Sequence, residues 1–172
     1  PGATPLRLSV LPTSSGAGLA VMPAPVTRAE YARFAADSGR AEANCRARSA
    51  LLNLRKRRWN APGFEQSDAQ PVVCVSLADA LAYAQWRGRQ DGHSYRLAST
   101  AEWQAQVAGT TAVARCAAQP ASCESTAIVR EWSASCGAAC ERQPVLGFGW
   151  REAGQGERAR EGTVDPAYGY DD

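Results

Sequence analysis

Apolar positions along the chain fall into short clusters between turn-forming residues, and three stretches carry the 3.6-residue period of an amphipathic helix. In the first, Thr27 and Glu30 make a capping box, Val26 and Tyr31 a hydrophobic staple, Phe34 continues the apolar face and Gly39 supplies a stop. This predicts a helix over 28–38. The second begins after Ser76 with Asp79 at the capping-box position; Leu77, Ala80, Leu81, Ala84 and Trp86 give it an apolar face, and Gly88 is expected to end it. In the third, Ser99 caps with Glu102 three residues on, Trp103 and Val107 face inward and Gly109 ends it. Each cap contributes on the order of 1 kcal/mol, so the same device used three times argues that all three helices form.

Extended segments are shorter. Leu6 to Leu11 and Leu19 to Met22 flank the turn-like Thr13 to Gly18 and predict a strand hairpin. Pro62-Gly63-Phe64 is a turn, and Pro71 to Val75 reads as a short buried strand. After residue 110 the periodicity fails, and Ile128 to Trp132 and Val145 to Trp150 are what remains of buried extended pattern. The expected architecture is a single α+β domain over 1–172, with three short helices, short antiparallel strands and much loop.

Composition agrees with one ordered core. A chain of 172 residues buries roughly 70% of its unfolded surface. With 45% hydrophobic and 21% charged residues it is not a disordered chain, and its 15 Gly and 10 Pro point to many loops. The net charge is +2, with Lys56 the sole Lys among 19 basic residues. No run reaches the roughly 18 apolar residues of a membrane span, so membrane contact is expected only through a segment outside this chain. The start at Pro1-Gly2 suggests that a leader or anchor has been removed.

Six cysteines allow 15 pairings. Cys116 with Cys123 and Cys136 with Cys140 form two close couples, which leaves Cys45 with Cys74, and three disulfides on this pattern are expected. They imply an oxidising, periplasmic or extracellular compartment. Zinc is the competing use of these cysteines, but with one histidine, His93, and no CxxC the ligand spacing is wrong, and no metal or other cofactor is expected.

Candidate chemistry is thin. Six basic side chains between Arg46 and Arg58, ending in Arg55-Lys56-Arg57-Arg58-Trp59, are read as a solvated loop, because no second basic cluster or interleaved aromatics extend them into a nucleic-acid surface. No nucleic-acid partner is expected. A Ser-His-Asp site would need His93 beside an activated serine, and there is no G-x-S-x-G elbow. Glu152 with Glu157, and Asp171 with Asp172, are read as solvated pairs, and the glycines at 147, 149, 154 and 156 as tight turns.

The segment from Pro71 to Trp103, PVVCVSLADALAYAQWRGRQDGHSYRLASTAEW, resembles the pattern of the formylglycine-generating-enzyme-like (sulfatase-modifying factor) family, in which PVV-x-VSW-x-DA-x-AY-x-x-W leads to YRLPTEAEWE. Pro25 to Phe34 resembles the family's PVT-x-x-x-Y-x-x-F helix, Val129-Arg-Glu-Trp132 its V-W-E-W strand, and Arg142 to Trp150 a degenerate RVLRGGSW. Asp165 to Asp172 is similar to the stretch before the family's closing IGFR, so the chain is expected to stop a few residues short of the family's end.

The resemblance implies an irregular α+β fold related to the C-type lectin fold. It also implies a lost activity. Catalytic members hold copper with two cysteines after the RGGSW motif, a soft thiolate pair suited to Cu(I), and the matching positions here are Glu152 and Glu157. Cys136 and Cys140 match a structural pair of bacterial relatives, and Ala127-Ile128 replace the Gly-Asn of a family calcium site. The family's peptide groove lies beside the RGGSW loop, so Trp150, Arg151, Glu152, Arg158 and Arg160, together with Trp59, are the expected binding surface. The expected function is a non-catalytic extracytoplasmic binding or sensor domain for a peptide, glycan or partner protein. By the same resemblance it is expected to be the periplasmic part of a membrane-anchored signalling protein such as a serine/threonine kinase. The alternative is an active oxidoreductase of the family working through a non-standard site.

Overall fold

The structure, a computed structural model, describes residues 9–12, 18–22, 24–41, 43, 45–46, 57–108, 129–134, 142–147, 162–164 and 168–170. Strands β1 (Ser9–Pro12) and β2 (Gly18–Val21) pair antiparallel, with Ser9 opposite Val21 and Pro12 opposite Gly18. Helix α1 (Arg28–Ser38) follows, then β3 (Cys45–Arg46), α2 (Leu77–Asp91) and α3 (Thr100–Ala108). Strands β4 (Glu131–Trp132), β5 (Gln143–Leu146) and β6 (Gly162–Val164) form an antiparallel sheet in that order, and β7 (Gly169–Tyr170) pairs parallel with β3. The fold is α+β. No described helix is long and apolar enough to cross a membrane.

The helices start where their caps predict. Thr27 and Ser76 both make complete capping boxes, and Ser99 does the same for α3: its backbone N–H donates to Glu102 Oε2 over 2.8 Å, and Glu102 N–H donates to Ser99 Oγ over 3.3 Å. Helix α1 ends at Gly39 as expected. Helix α2 does not end at Gly88. That glycine lies inside the helix, where a Cβ would stand 2.4 Å from the carbonyl oxygen of His93, so what it supplies is room for the chain to fold back. The stop is Gly92, at φ +75°, whose N–H donates to the Gly88 carbonyl over 2.9 Å.

Two ties fasten α1 to α2. Arg40 Nε donates to Asp79 Oδ1 over 2.8 Å, so one buried carboxylate both caps α2 and receives the guanidinium that follows α1. Trp86 Nε1 donates to Asp37 Oδ2 over 3.2 Å. Between the helices Tyr31, Phe34, Tyr83 and Trp86 form an aromatic core, with the Tyr31 and Phe34 rings edge-on at 5.3 Å and Phe34 and Trp86 at 5.8 Å. A second buried cluster joins Cys45, Val73, Cys74 and Val129.

The segment 71–75 separates these clusters, and it is not the strand that its apolar run suggests. It makes one bridge, Pro71 with Thr27, closed by the Val72 N–H donating to the Val26 carbonyl over 2.9 Å and the Arg28 N–H donating to the Gln70 carbonyl over 2.8 Å. Cys74 then takes φ +62°, which breaks the extended course. The break brings Cys74 to Cys45, with the two Cα atoms 4.8 Å apart across the expected disulfide. Cys116, Cys123, Cys136 and Cys140 lie outside the described residues. On the far side Gly169 of β7 packs against the same turn so tightly that a Cβ would meet the Cys74 carbonyl carbon at 2.2 Å.

The pieces expected near 128–132 and 145–150 become β4 and β5 in part, with Glu131 opposite Leu146 and Trp132 opposite Val145. Ile128 and residues 148–150 lie outside the described part. Strands β3, β6 and β7 carry no pattern long enough to predict.

Candidate functional site

A cleft of about 410 Å³ opens between the exit of β2, the first half of α2, α3 and β4. Its position follows from local folding. The Ser76 and Ser99 caps set the directions of α2 and α3, and Gln106 Nε2 donates to the Met22 carbonyl over 2.7 Å, holding α3 against the chain leaving β2. Trp132 Nε1 donates to the Val75 carbonyl over 2.9 Å and holds β4 against the segment before α2. Ala20 and Ala24 on one side and Ser94 and Arg96 on the other are exposed and edge the mouth; Val73, Trp103, Val129 and Val145 are buried and form the depth. Small-molecule sites typically occupy roughly 300 to 1,000 Å³ with largely apolar walls, and this cleft has that size and an apolar depth.

Its polar groups divide by whether the protein satisfies them. Arg87 donates to Asp91 Oδ2 over 3.2 Å, and Tyr95 donates its hydroxyl to the same oxygen over 3.0 Å. Arg96 holds Glu102 with two bonds of 2.7 Å; that pairing, with the Ser99 N–H second, keeps the Glu102 carboxyl down near 2. Glu131 differs. Oε1 accepts from Trp103 Nε1 over 3.0 Å, and no described residue bonds to Oε2 or supplies a cation. Burial pushes this carboxyl up to about 7, with the Trp103 bond acting the other way. Glu131 is nonetheless half-buried rather than sealed, because it lines the open cleft. Near neutral pH it is therefore divided between a neutral acid that donates and an anion that accepts.

Tyr83 also borders the cleft, with its hydroxyl buried and without a hydrogen-bond partner among the described residues. Burial, the largest influence, raises this phenol to about 12, so it stays protonated. The cleft's cysteine, Cys74, is tied to Cys45 and offers no thiolate. Among the described residues no three or more His, Cys, Asp or Glu side chains gather as a metal site would require.

The sites expected from sequence are placed differently. Trp150, Arg151, Glu152, Arg158 and Arg160 lie outside the described residues, as does Glu157. Trp59 is half-buried and packs on both core clusters, its ring 5.2 Å from that of Tyr31, and is not itself among the residues that line the cleft. His93 is exposed after α2, edge-on to Tyr95 at 6.4 Å. Trp86 and Trp103 are buried core residues. Sequence reasoning missed Glu131, whose signal is an acid standing between Val129 and Trp132 in a stretch otherwise read as buried strand.

An α+β domain with three capped helices, short strands and an apolar cleft beside a V-x-E-W strand is the class that these features define. The sulfatase-modifying factor enzyme 1-like domain matches residues 12–138, and the chain belongs to this family. No curated protein and no solved structure matches it.

Proposed function

We propose that the domain is a non-catalytic, extracytoplasmic binding or sensor domain and that its ligand enters the cleft between β2, α2, α3 and β4. The carrying observation is the cleft itself: about 410 Å³ of space, apolar in its depth, with a carboxyl to which the described residues give one hydrogen bond and no counter-ion. The Cys45–Cys74 disulfide supports an oxidising compartment. The resemblance of the loop after Trp150, which puts Glu152 and Glu157 where catalytic relatives carry copper-binding thiolates, supports the loss of catalysis. Attachment to a membrane-anchored signalling protein such as a serine/threonine kinase belongs to the same reading and rests on the resemblance.

A ligand-detected NMR screen of small apolar and amphiphilic molecules against the purified chain tests the proposal, with two variants. Ala84→Leu adds bulk to the α2 wall of the cleft and is expected to weaken any hit by about tenfold or more. Replacing Arg151, Arg158 and Arg160 together by Ala should leave those hits unchanged. Loss in the second variant and not the first would move the site to the loop after Trp150. A chain that copurifies with copper or iron, and whose cysteines alkylate without reductant, would instead establish the oxidoreductase reading.

A further inference from the structure

We infer that the cleft selects a ligand carrying an ammonium group on a compact apolar body, the ammonium pairing with the Glu131 carboxylate; this rests on the cleft being the binding site. The argument starts from what surrounds Glu131. On α2, Arg87 faces the cleft but is bound to Asp91, and Tyr83 is a neutral phenol. On the segment between α2 and α3, Tyr95 donates to Asp91 and Arg96 is held by Glu102 of α3. Arg130, the neighbour in the chain, makes no bond to the Glu131 carboxylate. From β2 and β5 the lining residues are Leu19, Ala20, Val21 and Val145, which carry no charge.

Each guanidinium whose partner is known is thus engaged elsewhere, and among the described residues none supplies a cation to the half-buried carboxylate. A buried carboxylate is tolerated when it is paired and hydrogen-bonded, and is costly when it is not. Trp103 supplies one donor to Oε1. A ligand ammonium reaching Oε2 would supply the missing charge and a second, charge-assisted bond. The walls set the rest of the ligand. Val73, Val129, Val145 and the Trp103 ring offer apolar and aromatic surface, and the volume admits a body of phenyl or cyclohexyl size with a short arm.

Pairing also links binding to protons. A free Glu131 near pH 7 is divided between its acid and its anion, while an alkylamine stays protonated until about pH 10. Amine binding at neutral pH therefore releases part of a proton from Glu131, and affinity rises with pH through this range.

The test compares four probes by calorimetry on the intact chain: phenethylamine, its neutral counterpart phenethyl alcohol, its anionic counterpart 3-phenylpropionate, and Nα-acetyl-lysine methylamide, which presents an ammonium from a peptide. At pH 8 phenethylamine should bind about tenfold or more tightly than the alcohol, the preference should shrink severalfold at pH 5.5, and repeating the titration near pH 7 in two buffers of different ionisation enthalpy should show proton release. Glu131→Gln should remove the amine preference and leave alcohol binding intact, which also shows that the variant cleft is folded. Preference for the alcohol or the phenylpropionate, unaltered by Glu131→Gln but abolished by Ala84→Leu, would overturn the ammonium inference while keeping the cleft as the binding site. If no probe binds, and the screen finds no molecule sensitive to Ala84→Leu, both readings fall. Relative affinity for the lysine amide decides whether the ammonium comes from a free amine or a peptide side chain.

Discussion

The indole Nε1 of Trp103 donates to Glu131 Oε1 across 3.0 Å, joining α3 to β4. Among the described residues it is the one hydrogen bond that the Glu131 side chain receives. Its consequence is a stability that depends on pH in the direction opposite to the usual carboxylate. The folded carboxyl titrates near 7 against an ordinary 4.5, so between those values the folded protein binds more protons than the unfolded chain. Stability is therefore greatest below about pH 4.5 as far as this group is concerned, and falls as pH rises through 7. Glu131→Gln should raise the unfolding free energy at pH 8.5, by roughly 2 to 3 kcal/mol at most given the group's partial exposure, and should change it little at pH 4.5. Urea unfolding at the two pH values checks this, and a variant less stable than the parent at pH 8.5 would refute it.

The Cys45–Cys74 bridge closes a sequence separation of 29 residues. By the chain-entropy account its removal destabilises by roughly 3 to 4 kcal/mol, a large share of a marginal domain's stability. The double variant Cys45→Ala with Cys74→Ala should lower the unfolding free energy by this order, read by urea denaturation.

Gly169→Ala is expected to be more damaging than its one added methyl suggests. The new Cβ would lie 2.2 Å from the carbonyl carbon and 2.4 Å from the carbonyl oxygen of Cys74, and backbone cannot swing aside as a side chain can. A loss of roughly 2 to 4 kcal/mol is expected, with the β3–β7 pairing displaced. Gly39→Ala is the control: its Cβ meets nothing within 4 Å, and its strain comes only from φ +57°, so about 1 kcal/mol is expected. Chemical denaturation of both variants tests the order.

Tyr83→Phe removes a buried hydroxyl that has no hydrogen-bond partner among the described residues and leaves the ring stacked on Tyr31 at 6.2 Å and edge-on to Phe34 at 5.6 Å. The change should be neutral or stabilising by up to about 1 kcal/mol, since an unsatisfied buried donor costs free energy. A measured loss above about 1 kcal/mol would mean that the hydroxyl has a partner in solution, such as a bound water.

The three helices and the hairpin were legible in the chain because their causes are local. A capping box needs four residues, an apolar stripe needs three turns, and each acts within the segment that it shapes. The Cys45–Cys74 pairing was legible from the grouping of the cysteines. Motif order from Pro25 to Trp132 was likewise enough to point to the family.

Tertiary structure decided the rest, because the deciding contacts join residues far apart in sequence. Gly88 looks like a helix stop until His93 is seen to fold back over it, and Gly92 ends the helix instead. Pro71 to Val75 looks like a strand, but Gly169, some ninety-five positions beyond Cys74, occupies the space beside a Cys74 that has turned to positive φ. Glu131 reads as one more acid in a strand motif. Its place in the cleft, its Trp103 donor and its lack of a counter-ion among the described residues come from bringing α3, β4 and the segment before α2 around one space. Hydrophobic periodicity and caps report which face of an element is buried, whereas the hollow between elements depends on how those faces meet.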